Sequence, residues 1–235
     1  MDDRDDLQRG AAGIGALADP VRRRLYQFVC AQETPVSRDQ AADAVGIPHH
    51  QAKFHLDRLT AEGLLETHFA RLTGRSGPGA GRTAKLYRRA RRDIAVSLPH
   101  REYELAGRLM ATAIARSAGT GEPVTEVLNR VARDYGRTIG ATASSATPPS
   151  GPAAALQRAV AVLIRYGYEP RFGDDEVELA NCPFHALAQE QTELACTMNH
   201  ALITGVADAL APHAPDARLC PGRDRCCVVL APGGE

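Results

Sequence analysis

"AADAVGIPHHQAKFHLDRLTAEGLLE" (residues 41–66) sets two amphipathic runs on either side of Gly46-Ile47-Pro48. Upstream, Ser37 and Gln40 stand three residues apart and form a capping box for a helix that ends near Gly46. Downstream, Pro48 opens a second helix whose apolar stripe is Ala52, Leu56, Leu59 and Leu64, and Gly63 ends it. Two short helices joined by so tight a turn make a helix-turn-helix. Ahead of it, Ile14, Leu17, Val21, Leu25, Phe28 and Val29 recur at helical spacing. Asp19-Pro20 reads as an N-cap followed by proline at the first helical position, so a helix is expected from 20 to 32 with a short one before it. Cys30 falls within this apolar pattern and reads as core, since a free thiol packs like a small hydrophobe.

Beyond the quoted stretch, "LLETHFA" (64–70) and "AKLYRRA" (84–90) read as strands, and "RLTGRSGPGAGR" (71–82) as the Gly-rich tip of a hairpin. Residues 71–92 carry eight Arg or Lys side chains and no acidic one. Helix, helix-turn-helix and basic hairpin together give the winged-helix layout. The stretch resembles the DNA-binding domains of arsenic-repressor-type and related bacterial regulators, which implies double-stranded DNA as partner. A recognition helix presents its N-terminal residues to base edges, which makes His49, His50, Gln51 and Lys53 the candidates for reading sequence. Arg58, Arg75, Arg82 and Lys85 are the candidates for phosphate contacts, which position without reading. A metal site built from His49, His50 and His55 is disfavoured, because adjacent side chains diverge around a helix.

The whole chain has 235 residues, of which 44% are hydrophobic, with zero formal net charge. The neutrality hides an asymmetry: residues 1–95 hold 16 basic against 12 acidic side chains, and the remainder holds 12 against 16. No apolar run approaches the ~18 residues of a spanning helix, so no membrane is expected. The acidic start "MDDRDDLQRG" lacks the basic and apolar segments of a secretory signal. A cytoplasmic location follows as the expectation, and with it reduced thiols.

The expected fold class is mainly α with small β. A winged helix-turn-helix covers 1–95, a helical dimerisation segment 96–146, and a cysteine-bearing α+β sensor domain 147–235. The middle segment holds two helical stretches, 100–118 and 123–143, with apolar faces from Leu105, Leu109, Ile114 and from Val124, Val127, Leu128, Val131. A homodimer seam is the expected use of those faces, matching an inverted-repeat operator. "SSATPPSGP" (144–152) then reads as a linker. After it the order is a helix over 153–167, a hairpin through "YEPRFG" and "EVELANC", helical sequence from Pro183, and the closing strand "CCVVL".

Five of the six cysteines fall in this last part. Cys182 precedes Pro183 and is placed at a helix start, where the dipole favours thiolate. Cys196 lies 14 residues on, about 21 Å away along one straight helix. A shared site therefore requires the chain to turn between them, and "QEQTEL" offers the place, with Thr192 capping a new helix. Adjacent strand residues point to opposite faces, so a regular strand delivers only one of Cys226 and Cys227. Cys220, in the Pro-Gly loop before them, is freer to swing in. The two C-x2-C pairs of a zinc ribbon are absent. Irregular cysteine-rich spacing suits an iron–sulfur cluster.

"NCPFHALAQEQTELACTMNHALITG" (181–205) followed by "PGRDRCCVVL" (221–230) resembles the C-terminal half of the Suf-operon repressor family. The resemblance implies a dimeric transcriptional repressor with an iron–sulfur cluster, 4Fe–4S, held by Cys182, Cys196 and the Cys226–Cys227 pair. The loaded form would repress cluster-assembly genes and the unloaded form release them. For the fourth ligand Cys220 competes, and His185 is an outside candidate. A zinc-binding or thiol-redox regulator of the same fold stays open. A cysteine-dependent enzyme finds no catalytic triad or phosphate-binding loop in support.

Overall fold

The computed structural model describes residues 3–70, 83–144, 148–222 and 225–234. The chain forms two compact units, divided in sequence between Val96 and Ser97. Both are mainly helical with small antiparallel sheets.

In the first unit, α1 (Asp3–Ala16) is longer than expected, and Ile14 in it is exposed. Asp19 caps α2 (Pro20–Cys30) as expected, its carboxylate accepting from the amides of Val21 and Arg22 at 2.8 and 2.9 Å. These backbone hydrogen bonds, that from Arg22 foremost, hold Asp19 below the usual carboxylate range. Cys30 is half-buried at the end of α2. A short strand, β1 (Val36–Ser37), precedes α3 (Arg38–Val45); at two residues it was too brief to leave a period in the sequence. The Ser37–Gln40 capping box is formed in both directions. Gly46 ends α3 at φ +70°, a left-handed conformation that glycine adopts without penalty. Pro48 is the N-cap of α4 (His49–Ala61), one position earlier than its expected place inside the helix. After Gly63, β2 (Leu65–Ala70) and β3 (Ala84–Arg89) pair antiparallel, and β1 adds to β3 to give the order β1-β3-β2. Leu25, Val29, Ala41, Ala52, Leu56, Leu59, Leu65 and Tyr87 close the core.

The second unit departs from the expected division at 146/147. It contains α5 (Tyr103–Thr120), α6 (Val124–Ser144), α7 (Pro152–Ile164), β4 (Pro170–Phe172), β5 (Val177–Leu179), α8 (His185–Glu190), α9 (Thr192–Asp208), β6 (Asp216–Leu219) and β7 (Val228–Ala231). Leu105, Leu109, Val127, Leu128 and Val131 share one core with Leu163, Phe184, Met198, Leu202 and Leu230. The central helices are therefore part of the C-terminal unit. Most of the apolar faces assigned to a dimer seam are covered within the chain, although Ile114 and Val124 stay exposed.

Three glycines make this packing possible. A Cβ on Gly136 would sit 2.0 Å from the Leu202 carbonyl oxygen, and one on Gly205 would sit 2.0 Å from that of Arg133. With Gly140 against Val206, they let the backbones of α6 and α9 touch. α9 then lies against α7 and the sheet β4-β5-β7-β6, which has one strand, β6, beyond the expected three.

Candidate functional site

The outward face of α4 lies opposite Ala52, Leu56 and Leu59. His50 and Gln51 stand exposed on it. His49 is also exposed, but its Nδ1 lies 2.7 Å from Asp39 Oδ1 and its Nε2 3.6 Å from Asp43, so its ring is turned toward α3. Lys53 and Lys85 both donate to Asp57, at 2.9 and 2.7 Å, and the Tyr87 hydroxyl reaches the same carboxylate at 3.3 Å. Burial raises the Asp57 pKa, but the hydrogen bonds from Lys85 and Lys53 outweigh it and hold the group below its ordinary value. Asp57 thus ties α4 to β3. Arg58 pairs with Glu62 at 2.7 Å. Arg75 and Arg82 lie outside the described residues.

In the second unit, one cavity of about 620 Å³ is lined by Cys182, Cys196, Cys226 and Cys227, together with His185, Arg101 and Arg225. Three separate pieces of chain bring the thiols there. Cys182 sits in the loop after β5. Its expected place at a helix start is corrected, because the N-cap of α8 is Phe184. Cys196 is in α9. The chain does turn between them, with Gln191, not Thr192, as the joint; the Thr192 hydroxyl donates back to the Ala188 carbonyl at 2.7 Å. Cys226 and Cys227 precede β7 at a bend, so strand alternation does not apply and both line the cavity. Their backbones are anchored on both sides: Cys226 N–H donates to Leu179 O at 2.8 Å, and Cys220 N–H donates to Cys227 O at 2.7 Å.

Cys220 stands apart from the described lining, its sulfur accepting from Arg225 Nη2 at 3.2 Å. The same guanidinium approaches Glu178 at 3.5 Å, an ion-pair distance too long and misaligned for a hydrogen bond from Nη1.

The four lining thiols interact in series: Cys182 with Cys226, Cys226 with Cys227, Cys227 with Cys196. The Cys226 thiol donating to Cys182, helped by the Phe184 amide, holds Cys182 below the ordinary thiol range despite its burial. Giving up that proton is costly for Cys226, whose pKa is pushed up to about 12. Cys196 is raised to about 12, chiefly by burial, and Cys227 is raised chiefly by its hydrogen bond to Cys226. Of the four thiols in this row, Cys182 alone is lowered and the other three are raised. Among the described residues, no three His, Cys, Asp or Glu side chains are grouped so as to hold a metal ion.

Two supports for this site carry no local sequence signal. Asn199, fully buried, donates from Nδ2 to Cys226 Sγ at 3.1 Å, and its Oδ1 accepts from the buried Tyr168 hydroxyl. Arg101 Nη1 donates to the Cys182 carbonyl at 3.0 Å and to Asn181 Oδ1. Asn181 Nδ2 donates in turn to the carbonyls of Gly167 and His100, and Glu102 N–H donates to Pro183 O at 3.2 Å. The segment 97–102, which continues from the last residue of the first unit, is thereby fastened to the loop carrying Cys182.

Residues 17–68 match the family model described as a helix-turn-helix domain. No curated protein and no solved structure matches the chain. The first unit carries a helix-turn-helix domain, the kind of domain by which transcriptional regulators bind DNA. No described helix is long and apolar enough to cross a membrane.

Proposed function

We propose that the chain is a transcriptional repressor whose thiol cavity holds a 4Fe–4S cluster and reports its presence to DNA. The observation that carries this reading is the meeting of four cysteines, from three places in the sequence, along one cavity. Cysteine-rich lining without the two C-x2-C pairs of a zinc ribbon suits an iron–sulfur cluster. Cys182, Cys196, Cys226 and Cys227 would hold it, and Cys182 is the one of them whose pKa is lowered. Cys220, engaged by Arg225, and His185 are the reserve donors. When bound, such a cluster supplies one-electron redox chemistry. The chain's own part is to orient the sulfurs and donate from Asn199 to Cys226. The contact between Cys182 and Cys226 favours one second reading, a thiol-redox switch without metal.

The clasp around Arg101 gives the route to DNA, because displacement of the Cys182 loop pulls on the segment leading to the DNA-binding unit. Homodimerisation is proposed from operator symmetry alone, since two half-sites call for two recognition helices.

Anaerobically purified protein should be brown and carry iron and sulfide. Cys182→Ser and Cys196→Ser should each abolish both, and Cys30→Ser should leave them intact. Full iron and sulfide in both cavity variants would sink the cluster. A colourless protein that forms a Cys182–Cys226 disulfide on mild oxidation would replace it with the thiol switch. Arg101→Ala should load normally yet bind DNA equally in loaded and unloaded states.

A further inference from the structure

Phe54 is an exception on the outward face of α4. Its neighbours there, His50, Lys53 and Arg58, are polar, yet Phe54 is 65% exposed. At 3.6 residues per turn it stands opposite the buried stripe of Ala52, Leu56 and Leu59, one turn on from His50. Its ring meets the His55 imidazole edge-on, with centroids 5.3 Å apart and planes at 70°. That contact limits the ring's freedom without covering it. A phenylalanine left in water forgoes the favourable free energy of burying its ring. The place is the middle of the recognition helix, within the matched residues 17–68.

The major groove offers one apolar group at base level, the C5-methyl of thymine, and phenylalanine is among the side chains that contact it. The surrounding charge suits the same partner. Asp57, the one acidic side chain on the outward face of α4, is held by two lysines, which leaves the patch around Phe54 cationic. We infer that Phe54 is a specificity-determining residue that reads a thymine methyl group in the major groove. The inference rests on the DNA-binding reading and adds a base-reading contact to the polar ones expected from His50 and Gln51.

The test uses the full-length protein and a duplex enriched by it from a randomised library. Each thymine of that duplex is replaced singly by uracil, which removes only the methyl group. Wild type should lose about fourfold in affinity at one thymine per half-site, the effect of re-exposing one methyl-sized group to water. Phe54→Ala should bind the thymine duplex less well and no longer distinguish thymine from uracil there, whereas Phe54→Leu should retain part of the preference. Because the side chain is exposed, Phe54→Ala should melt like wild type, which circular dichroism checks. An unchanged thymine-to-uracil ratio in Phe54→Ala at every position would overturn the inference while leaving DNA binding intact. If that unchanged ratio came with a lower sedimentation coefficient, the ring would belong to a protein–protein contact instead. Failure to enrich any duplex would overturn the DNA-binding reading itself, and the inference with it.

Discussion

The two units bury different kinds of group. In the unit ending at Val96 the buried side chains among the described residues are apolar apart from Tyr87, whose hydroxyl reaches out to Asp57, and one polar atom of a half-buried side chain, His55 Nδ1, is buried without a partner. In the unit from Ser97 the core takes in Asn181, Asn199, Cys182, Cys226 and Cys227. A buried polar group costs stability unless a partner meets it, so each of these must be satisfied from within. The first unit directs its polarity toward an external polyanion. The second directs its polarity inward, toward the thiol cavity, and its folding rests on the contacts that line that cavity.

The sharpest way to separate the units is the helix crossing. Gly136→Ala or Gly205→Ala forces a methyl group against a backbone carbonyl that cannot rotate away, and should destabilise the second unit by about 3 kcal/mol. Hydrogen exchange should show the loss in α6 and α9 and spare α3 and α4. Equal loss in both units would mean that they fold as one.

Alkali should divide them next. The pKa values of Cys196 and Cys226 are raised to about 12 and that of Cys227 is also raised, so the folded metal-free protein holds these protons longer than the unfolded chain does. Their contribution is complete below the ordinary thiol value of 9.0 and is lost as pH rises from there through about 12. The single lowered thiol, Cys182, works in the opposite sense, since its contribution is lost as pH falls through its folded value. With three thiols against one, thermal melts should show the second unit weakening above pH 9.0 while α3 and α4 hold. A second unit indifferent to alkali would contradict the thiol row.

Asn199→Leu leaves the Tyr168 hydroxyl without its acceptor and Cys226 without its donor, at a cost of about 1–3 kcal/mol in the second unit. The same measurement should place this below the glycine variants. In the first unit, Ser37→Ala removes half of the capping box and should cost about 1 kcal/mol, seen as earlier exchange of α3 amides. The smallest effect on stability belongs to Lys53→Ala, about 0.3–0.5 kcal/mol for an exposed i,i+4 pair. Its effect should appear instead in DNA titrations, as a salt-dependence slope reduced by about 1.

The ease of reading followed the same division. Asp19-Pro20, Ser37–Gln40 and Gly46 act within a few residues of themselves, and each does in the structure what its type and spacing indicate. The wing showed its two long strands but not β1. Phe54 was overlooked because a helical apolar count treats an outward phenylalanine as noise; its position opposite the stripe was the available signal. Lys53, Lys85 and His49 were legible as basic or imidazole groups, but their pairing with Asp57 and Asp39 was not. In the second unit the break near Thr192 could be foreseen from the distance it had to save, while the bend at Cys226–Cys227 could not.

By itself the sequence determined the helix-turn-helix, the basic hairpin and the gathering of cysteines toward the C-terminus, because caps, periodicity and turns are set by neighbours along the chain. Tertiary structure alone decided that the central helices join the C-terminal core, that Cys220 stands off while Cys226 and Cys227 both enter, and that Arg101 and Asn199 brace the thiols. Those outcomes depend on contacts between residues far apart in sequence: 81 positions separate Arg101 from Cys182, and 27 separate Asn199 from Cys226. Such contacts form only when close-packed backbones, here at Gly136 and Gly205, bring distant segments together, and no local spacing encodes them.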